Sequence, residues 1–384
     1  MTIEKIVTFI TMFLFISPDP QLFKETIDNK ELSFYSSLIL DEDTILDEGD
    51  YTCNSLNEVN ILVVKGAKLK IEPGRKISKI VNSSLRKLLE EENDESFFFF
   101  FSYKYGLTAN IVAIGEGSQI IINGATIMVD CPFSDAIVAL DGARIIIKNT
   151  TIITKQKYSK GLVVSYSSFS EISDKTSIKT EGNFSPCIEL TTNGEADVTS
   201  ATLNSIGEGS SLINTIGDVE INLFSSTGNA TNSQLVVMLG NSMVAFHDCD
   251  FTVSGKGIIN TDYYKNDINL KNGGIIIYQN EIYNVDVCDL KIFNSNLYIN
   301  NKAIPMISCF NVESTIVIDN SKFYFGKIFI TANKTESSNI YTKIDITMRN
   351  FSFNETKRFI CDANSNINCK ADQNMMNTIE FNKS

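Results

Sequence analysis

The only histidine in the chain, His247, stands in the stretch FHDCD, with Asp248, Cys249 and Asp250 directly behind it. Imidazole, thiolate and carboxylate are the side chains that hold transition metals and move protons. Neighbours on an extended strand point to opposite faces, so a run of reactive types converges on one centre only where the backbone bends. What FHDCD can do therefore depends on the elements that position it.

Those elements repeat. NIVAIGEGSQIIINGATIMVD (110–130), AIVALDGARIIIKNTTIITKQ (136–156), QLVVMLGNSMVAFHDCDFTVSG (234–255) and IPMISCFNVESTIVIDNSKFYFG (304–326) share one plan. An apolar run is followed by a Gly/Asn/Ser turn, a β-branched run, a small polar turn and a third short strand. Units begin near Ile111, Ile137, Leu162, Ile188, Leu212 and Leu235, 23 to 26 residues apart. Three short strands cannot bury an apolar face alone, whereas stacking like units does so. The expected fold is all-β: a single-stranded right-handed parallel β-helix with three short strands per coil, loop insertions and terminal caps. About ten coils at about 4.8 Å each would make a rod on the order of 50 Å long. A β-sandwich is the alternative, and it leaves the three-strand period unexplained.

The expected organisation is a signal peptide over 1–17, a lead-in or cap over 18–50, the β-helix over 51–356, and a cap or tail over 357–384. Lys5 precedes the apolar run 6–16, which is too short to span a bilayer and suits a signal-peptide core. No later stretch is apolar enough to cross a membrane. Insertions are expected near 81–106 and 256–274; the first carries five consecutive phenylalanines, Phe97 to Phe101.

Aligned coils dissolve the FHDCD cluster. His247 takes the slot of Asn123, Lys148, Thr199, Phe293 and Asp319, a mostly polar set that suits an outward position. Asp248 falls where Gly124, Asn149, Ser200 and Asn320 stand, residues that tolerate a tight turn. Cys249 replaces Ala125, Thr150, Ala201 and Ser321, all small, as an inward site requires. Asp250 matches Thr126, Thr151 and Thr202, again outward. No catalytic, metal or cofactor site is assigned.

Composition narrows the partners. A net charge of −13 and a pI of about 4.7 exclude nucleic acid, which is held by clustered Lys and Arg. The eight cysteines show no CxxC pair, so zinc has little support. In an exported chain Cys361 and Cys369 are the expected local disulfide. Glycosylation sequons stand at Asn82, Asn149, Asn183, Asn229, Asn333, Asn350, Asn354 and Asn382, about as many as chance supplies in so Asn-rich a chain. Calcium is the one ion the acidic residues Asp286 and Asp289 suit, and no cofactor is required. Tyr278, Tyr283 and Tyr298 gather in one region, where exposed rings would stack on sugars.

The segments GLTANIVAIGEGSQIIINGATI, NFSPCIELTTNGEADVTSATL, SQLVVMLGNSMVAFHDCDFTVSGKG, GGIIIYQNEIYN and IPMISCFNVESTIVIDN resemble, in order and spacing, coils of a family of secreted, mostly bacterial β-helix proteins. The resemblance runs from about Tyr51 to about Lys334 and implies the pectin-lyase-like superfold. That family is described as adhesin-like or of unknown function, and implies no catalytic residues here. The resulting expectation is a secreted or surface-associated non-catalytic rod, structural or adhesive, whose partners are polysaccharide or cell-wall and coat components. Self-association of such a rod is compatible with it. The alternative is a polysaccharide lyase or glycoside hydrolase, which needs a base with Arg or Lys and calcium ligands, or paired carboxylates. Asn260-Thr261-Asp262 resembles one segment of the polygalacturonases, without the paired Asp, Gly-His-Gly and Arg-Ile-Lys that accompany it there. Arg144 alternates like an ordinary strand residue.

Overall fold

The strand Arg144–Lys148 shows why each coil closes as it does. Ile145 and Ile147 are buried, while Arg144 is exposed and Ile146 and Lys148 are half-exposed. This strand pairs in parallel register with Gln119–Asn123 below and Phe169–Ser173 above, one coil away on each side. Branched side chains stiffen the extended backbone, and the ladder stacks like on like.

The computed structural model describes residues 21–27, 29–81, 106–256, 272–279, 287–334, 341–351, 353 and 355–383. Their strands form three sheets, of 14, 12 and 10 strands, wound coil by coil into a parallel β-helix. First-sheet strands begin at Ile111, Ile137, Leu162, Ile188, Ile213 and Val236, within one residue of the sequence period. The second sheet has one strand per coil, so there are about twelve coils rather than ten.

The extra coils lie at the ends. Gln21–Ile27 and Lys30–Leu40 form an antiparallel hairpin, whose second arm pairs in parallel with Val59–Val63. That hairpin forms one edge of the first sheet. At the other end the winding runs past residue 356, contrary to expectation. Lys357–Cys361 and Ile379–Lys383 extend the first sheet, and Asn366–Lys370 extends the second. Asn366–Lys370 buries no residue fully, so its sequence lacks the apolar alternation of inner coils. The short helix Gln373–Met376 is capped by Asp372 and buries Met375 against the core.

Inside, Ile122, Ile147, Ile172, Val198, Leu223, Phe246, Ile292 and Ile318 stack in register, all fully buried. Each such side chain contributes about 1.5–3 kcal/mol by leaving water. In the third sheet Gly228 lies between Leu203 and Phe251, and the Phe251 ring packs edge-on against Phe246. The first sheet is buried on its outer side as well: Val112, Ile114, Val138, Leu140 and Val163 cluster with Ile27, Leu32 and Phe34. Its strands Ile111–Ile114 and Ile137–Leu140 therefore read as unbroken apolar runs.

Two corners are fixed by conformation and by hydroxyls. The residue after each second-sheet strand from Gln119–Asn123 to Lys343–Arg349 is left-handed: Gly124, Asn149, Asp174, Ser200, Ser225, Asp248, Asn294, Asn320 and Asn350 all have φ between 47° and 67°. Asn and Asp tolerate that region because their side chains bond locally. The next residue turns inward, where a hydroxyl accepts the amide of the coil before it, as Ser226 does from Ala201 and Ser295 from Cys249. A second such file, Ser159 to Ser185 to Ser210, runs along the corner that leads back to the first sheet. That file stands beside the stacked rings of Phe133, Tyr158 and Phe184.

Gly207 closes that return turn against the neighbouring coil. A Cβ there would lie 1.9 Å from the Gly182 carbonyl oxygen. Gly207→Ala should therefore force adjacent coils apart and destabilise the protein by about 1–3 kcal/mol, read as a lower denaturation midpoint. A midpoint equal to that of the parent would show that the coil spacing is not set there.

Candidate functional site

FHDCD is divided by the strand it ends. His247 closes Ser242–His247 and points outward, in register with Phe224 below and Phe293 above. Its imidazole lies between those two rings, at centroid distances of 4.8 and 5.0 Å. Asp248 is exposed and left-handed. Cys249 faces the core, where its thiol donates to the Leu223 and His247 carbonyls, and burial pushes its pKa up to about 11. Asp250 is exposed, between Thr227 and Asn296 in the ladder. The four side chains thus do not converge on one point. No group of three His, Cys, Asp or Glu among the described residues is placed to hold a metal.

The other expected positions divide as follows. Arg144 is exposed, 3.6 Å from Glu171 and over the Phe169 ring. Asn149, Asn183 and Asn350 are exposed and Asn229 and Asn333 half-buried. Asn82, Asn354, Tyr283, Asp286, the run Phe97 to Phe101 and the segment 260–262 lie outside the described residues. Cys361 and Cys369 form no disulfide, nor does any other of the eight cysteines. They sit on different sheets of the last coil, so eight residues of sequence separation is here the step from one sheet to the next. Burial also pushes the Cys187 and Cys288 thiols up to about 12.

Asp135, Lys160 and Glu189 come from three successive turns and are buried together. Lys160 pairs with Glu189, which also accepts from Asn214 at 2.8 Å, while the Lys160 amide donates to Asp135 at 2.8 Å. Burial, only partly offset by the Lys160 charge, raises the Asp135 pKa from 3.8 to about 7. This cluster is enclosed and offers no approach to a substrate. An acidic recess of about 220 Å³ lies elsewhere, on the outer side of the second sheet, lined by Glu195, Asp218, Glu220 and Asp289 among others.

A larger recess opens where the third sheet stops. That sheet's last strand is Lys322–Tyr324, whereas the first two sheets continue. Phe353 and residues 355–357 lie across from that strand, and between them is a groove of about 600 Å³. Its walls include Tyr298, Tyr324, Phe325, Phe353, Lys302, Lys322 and Glu355. Tyr298 and Tyr324 stack at 4.3 Å with an interplanar angle of 6°. Tyr324 is 46% exposed, and no third-sheet strand is described beyond it to cover the far face of its ring. Burial, Asp250 and Tyr324 all raise the Tyr298 pKa, so its phenol stays protonated. Tyr278, by contrast, is 3% exposed in a cluster with Leu239 and Phe310, so it cannot meet a ligand.

Sequence reasoning singled out Tyr298 and missed Tyr324. The signal was present in the repeat: KFYFG occupies the same coil position as NLYIN, which places the two rings in one file.

Compared with known protein families, curated proteins and solved structures, the chain matches none. No helix among the described residues is long and apolar enough to cross a membrane.

His247→Asn should leave the fold intact and cost no more than about 1 kcal/mol, the contribution of a ring stack. Thermal unfolding measures it, and global unfolding of the variant would show the imidazole to be structurally essential. Asp135 gives a pH signature. Folded protein holds that proton more tightly than the unfolded chain, so its contribution is complete below pH 3.8 and lost as pH rises to about 7. Asp135→Asn should flatten the stability profile across that window, as read by denaturant titration at stepped pH.

Proposed function

We propose that this protein is a non-catalytic β-helix rod of a secreted or surface layer that binds polysaccharide along its third sheet and in the groove where that sheet ends. The observation that carries this reading is the file of outward side chains on that sheet. Thr126, Thr151, Ser177, Thr202 and Thr227 present hydroxyls at successive coils, and Asp250, Asn296 and Lys322 continue the file. Beside it runs a second file whose last members are Tyr298 and Tyr324.

A straight row of hydroxyls at the strand spacing of about 4.8 Å suits the repeating hydroxyls of an extended glycan. The exposed ring of Tyr324 suits the apolar face of a pyranose, which stacks on an aromatic ring through its C–H bonds. Rigid walls add affinity because little conformational entropy remains to be lost. The adhesin-like coils that the sequence resembles, and the apolar run 6–16, support a role outside the cell.

Immobilised polysaccharides tested by retention should hold the protein without the appearance of new reducing ends or unsaturated uronates. Tyr324→Ala should weaken retention about three- to tenfold, from about 0.5–1.5 kcal/mol of stacking. Product formation would establish the lyase or hydrolase reading instead.

A further inference from the structure

The groove differs in charge from the rest of the molecule. In a chain of net charge −13, three lysines line it, Lys302, Lys322 and Lys357, with Lys327 close enough to act on Glu355, the one carboxylate among the lining residues. Lys357 is already committed. Its ammonium is almost buried, donates to the Gly326 carbonyl at 3.0 Å and to Glu355 at 2.9 Å, and stands 4.6 Å over the Phe325 ring. Glu355 is held below the usual carboxylate range, first by that hydrogen bond and by the Lys357 charge, then by Lys327 and Lys302. The carboxylate is thereby neutralised by one lysine.

Lys302, Lys322 and Lys327 are exposed, and among the described residues their side chains form no hydrogen bond or ion pair. They are positioned by backbone constraints. Lys322 belongs to the last third-sheet strand, next but one to Tyr324. Lys302 is fixed by Gly326, which lies so close that a Cβ there would come 1.7 Å from the Lys302 carbonyl oxygen. Like charges gathered without partners repel one another and gain from an anion placed between them.

We propose that the groove recognises an acidic sugar, a pyranose carrying carboxylate or sulfate. Its ring stacks on Tyr324 while its anionic group sits between Lys322 and Lys302. This rests on the polysaccharide reading above and specifies its ligand class. The aromatic face orients the sugar, and the lysines select for charge. Ammonium groups on flexible stems act as point charges, so they accept carboxylate or sulfate without the planar fork that arginine would impose.

The test measures binding of the full chain, by calorimetry at low and high salt, to three probes of equal length. These are an oligogalacturonate, a sulfated dextran oligomer and a neutral xylo-oligosaccharide. At least one anionic probe should bind about tenfold or more tightly than the neutral one, and lose that advantage as salt is raised. Lys302→Gln with Lys322→Gln should lower anionic binding by roughly three- to tenfold and leave neutral binding unchanged. Both positions are exposed, and an unaltered unfolding midpoint shows that the double variant is folded. The ratio of uronate to sulfate affinity identifies which anion the site takes. Equal, salt-insensitive binding of all three probes would overturn the acidic-sugar proposal and leave the polysaccharide reading standing. Binding of none would overturn both.

Discussion

Apart from the antiparallel hairpin Gln21–Ile27 and Lys30–Leu40, every described strand pairs with strands of neighbouring coils and none within its own. In the inner coils the backbone groups are satisfied by the turn of chain before or after, typically about 25 residues away in sequence. Register between coils is therefore the one constraint the rest must obey. It favours like residue classes at the same step of successive coils, and so produces the files of isoleucine inside, left-handed Asn, Asp, Ser or Gly at one corner, and inward small residues beside it. It also explains how long segments enter without disturbing the winding. Lys76–Ile80 pairs directly with Thr126–Asp130 although 45 residues separate the two strands.

The same constraint decides where chemistry can occur. Side chains adjacent in sequence are separated by the pleat, as in FHDCD, and side chains one coil apart are brought together. Reactive types therefore meet along the rod and not along the chain. His247 meets Phe224 and Phe293, Glu189 meets Lys160 and Asn214, and Tyr298 meets Tyr324. A regular file, however, covers each ring with the next. Space for a ligand arises where one sheet stops and the others continue, as they do above Lys322–Tyr324.

Much of this was legible in the sequence, for a physical reason. Period, strand order, the outward His247, the inward Cys249 and the tight turn at Asp248 all follow from repetition, which register enforces. What escaped reading lay where repetition fades. Asn366–Lys370 has a partner on only one side, needs little apolar surface, and so looks like a tail. Cys361 and Cys369 suggested a bridge because sequence distance was taken for spatial distance across a corner. Tyr278 and Tyr298 look alike in sequence. The first belongs to a sheet buried on both faces and the second to one open on its outer side. Tyr324 was overlooked because its importance comes from the absence of a described third-sheet strand beyond it, which no feature of its own coil displays.

The antiparallel hairpin at the start and the short helix near the end have a mechanical meaning as well. Hydrogen bonds between coils lie along the rod, so tension applied to its two termini loads them one turn at a time. Such a rod would not snap as a unit. It would pay out chain coil by coil from whichever closure yields first, each release adding up to about 80 Å of extended chain. A layer built from such rods would stretch in discrete steps, and the many small ruptures would dissipate force that a single cooperative domain would meet all at once.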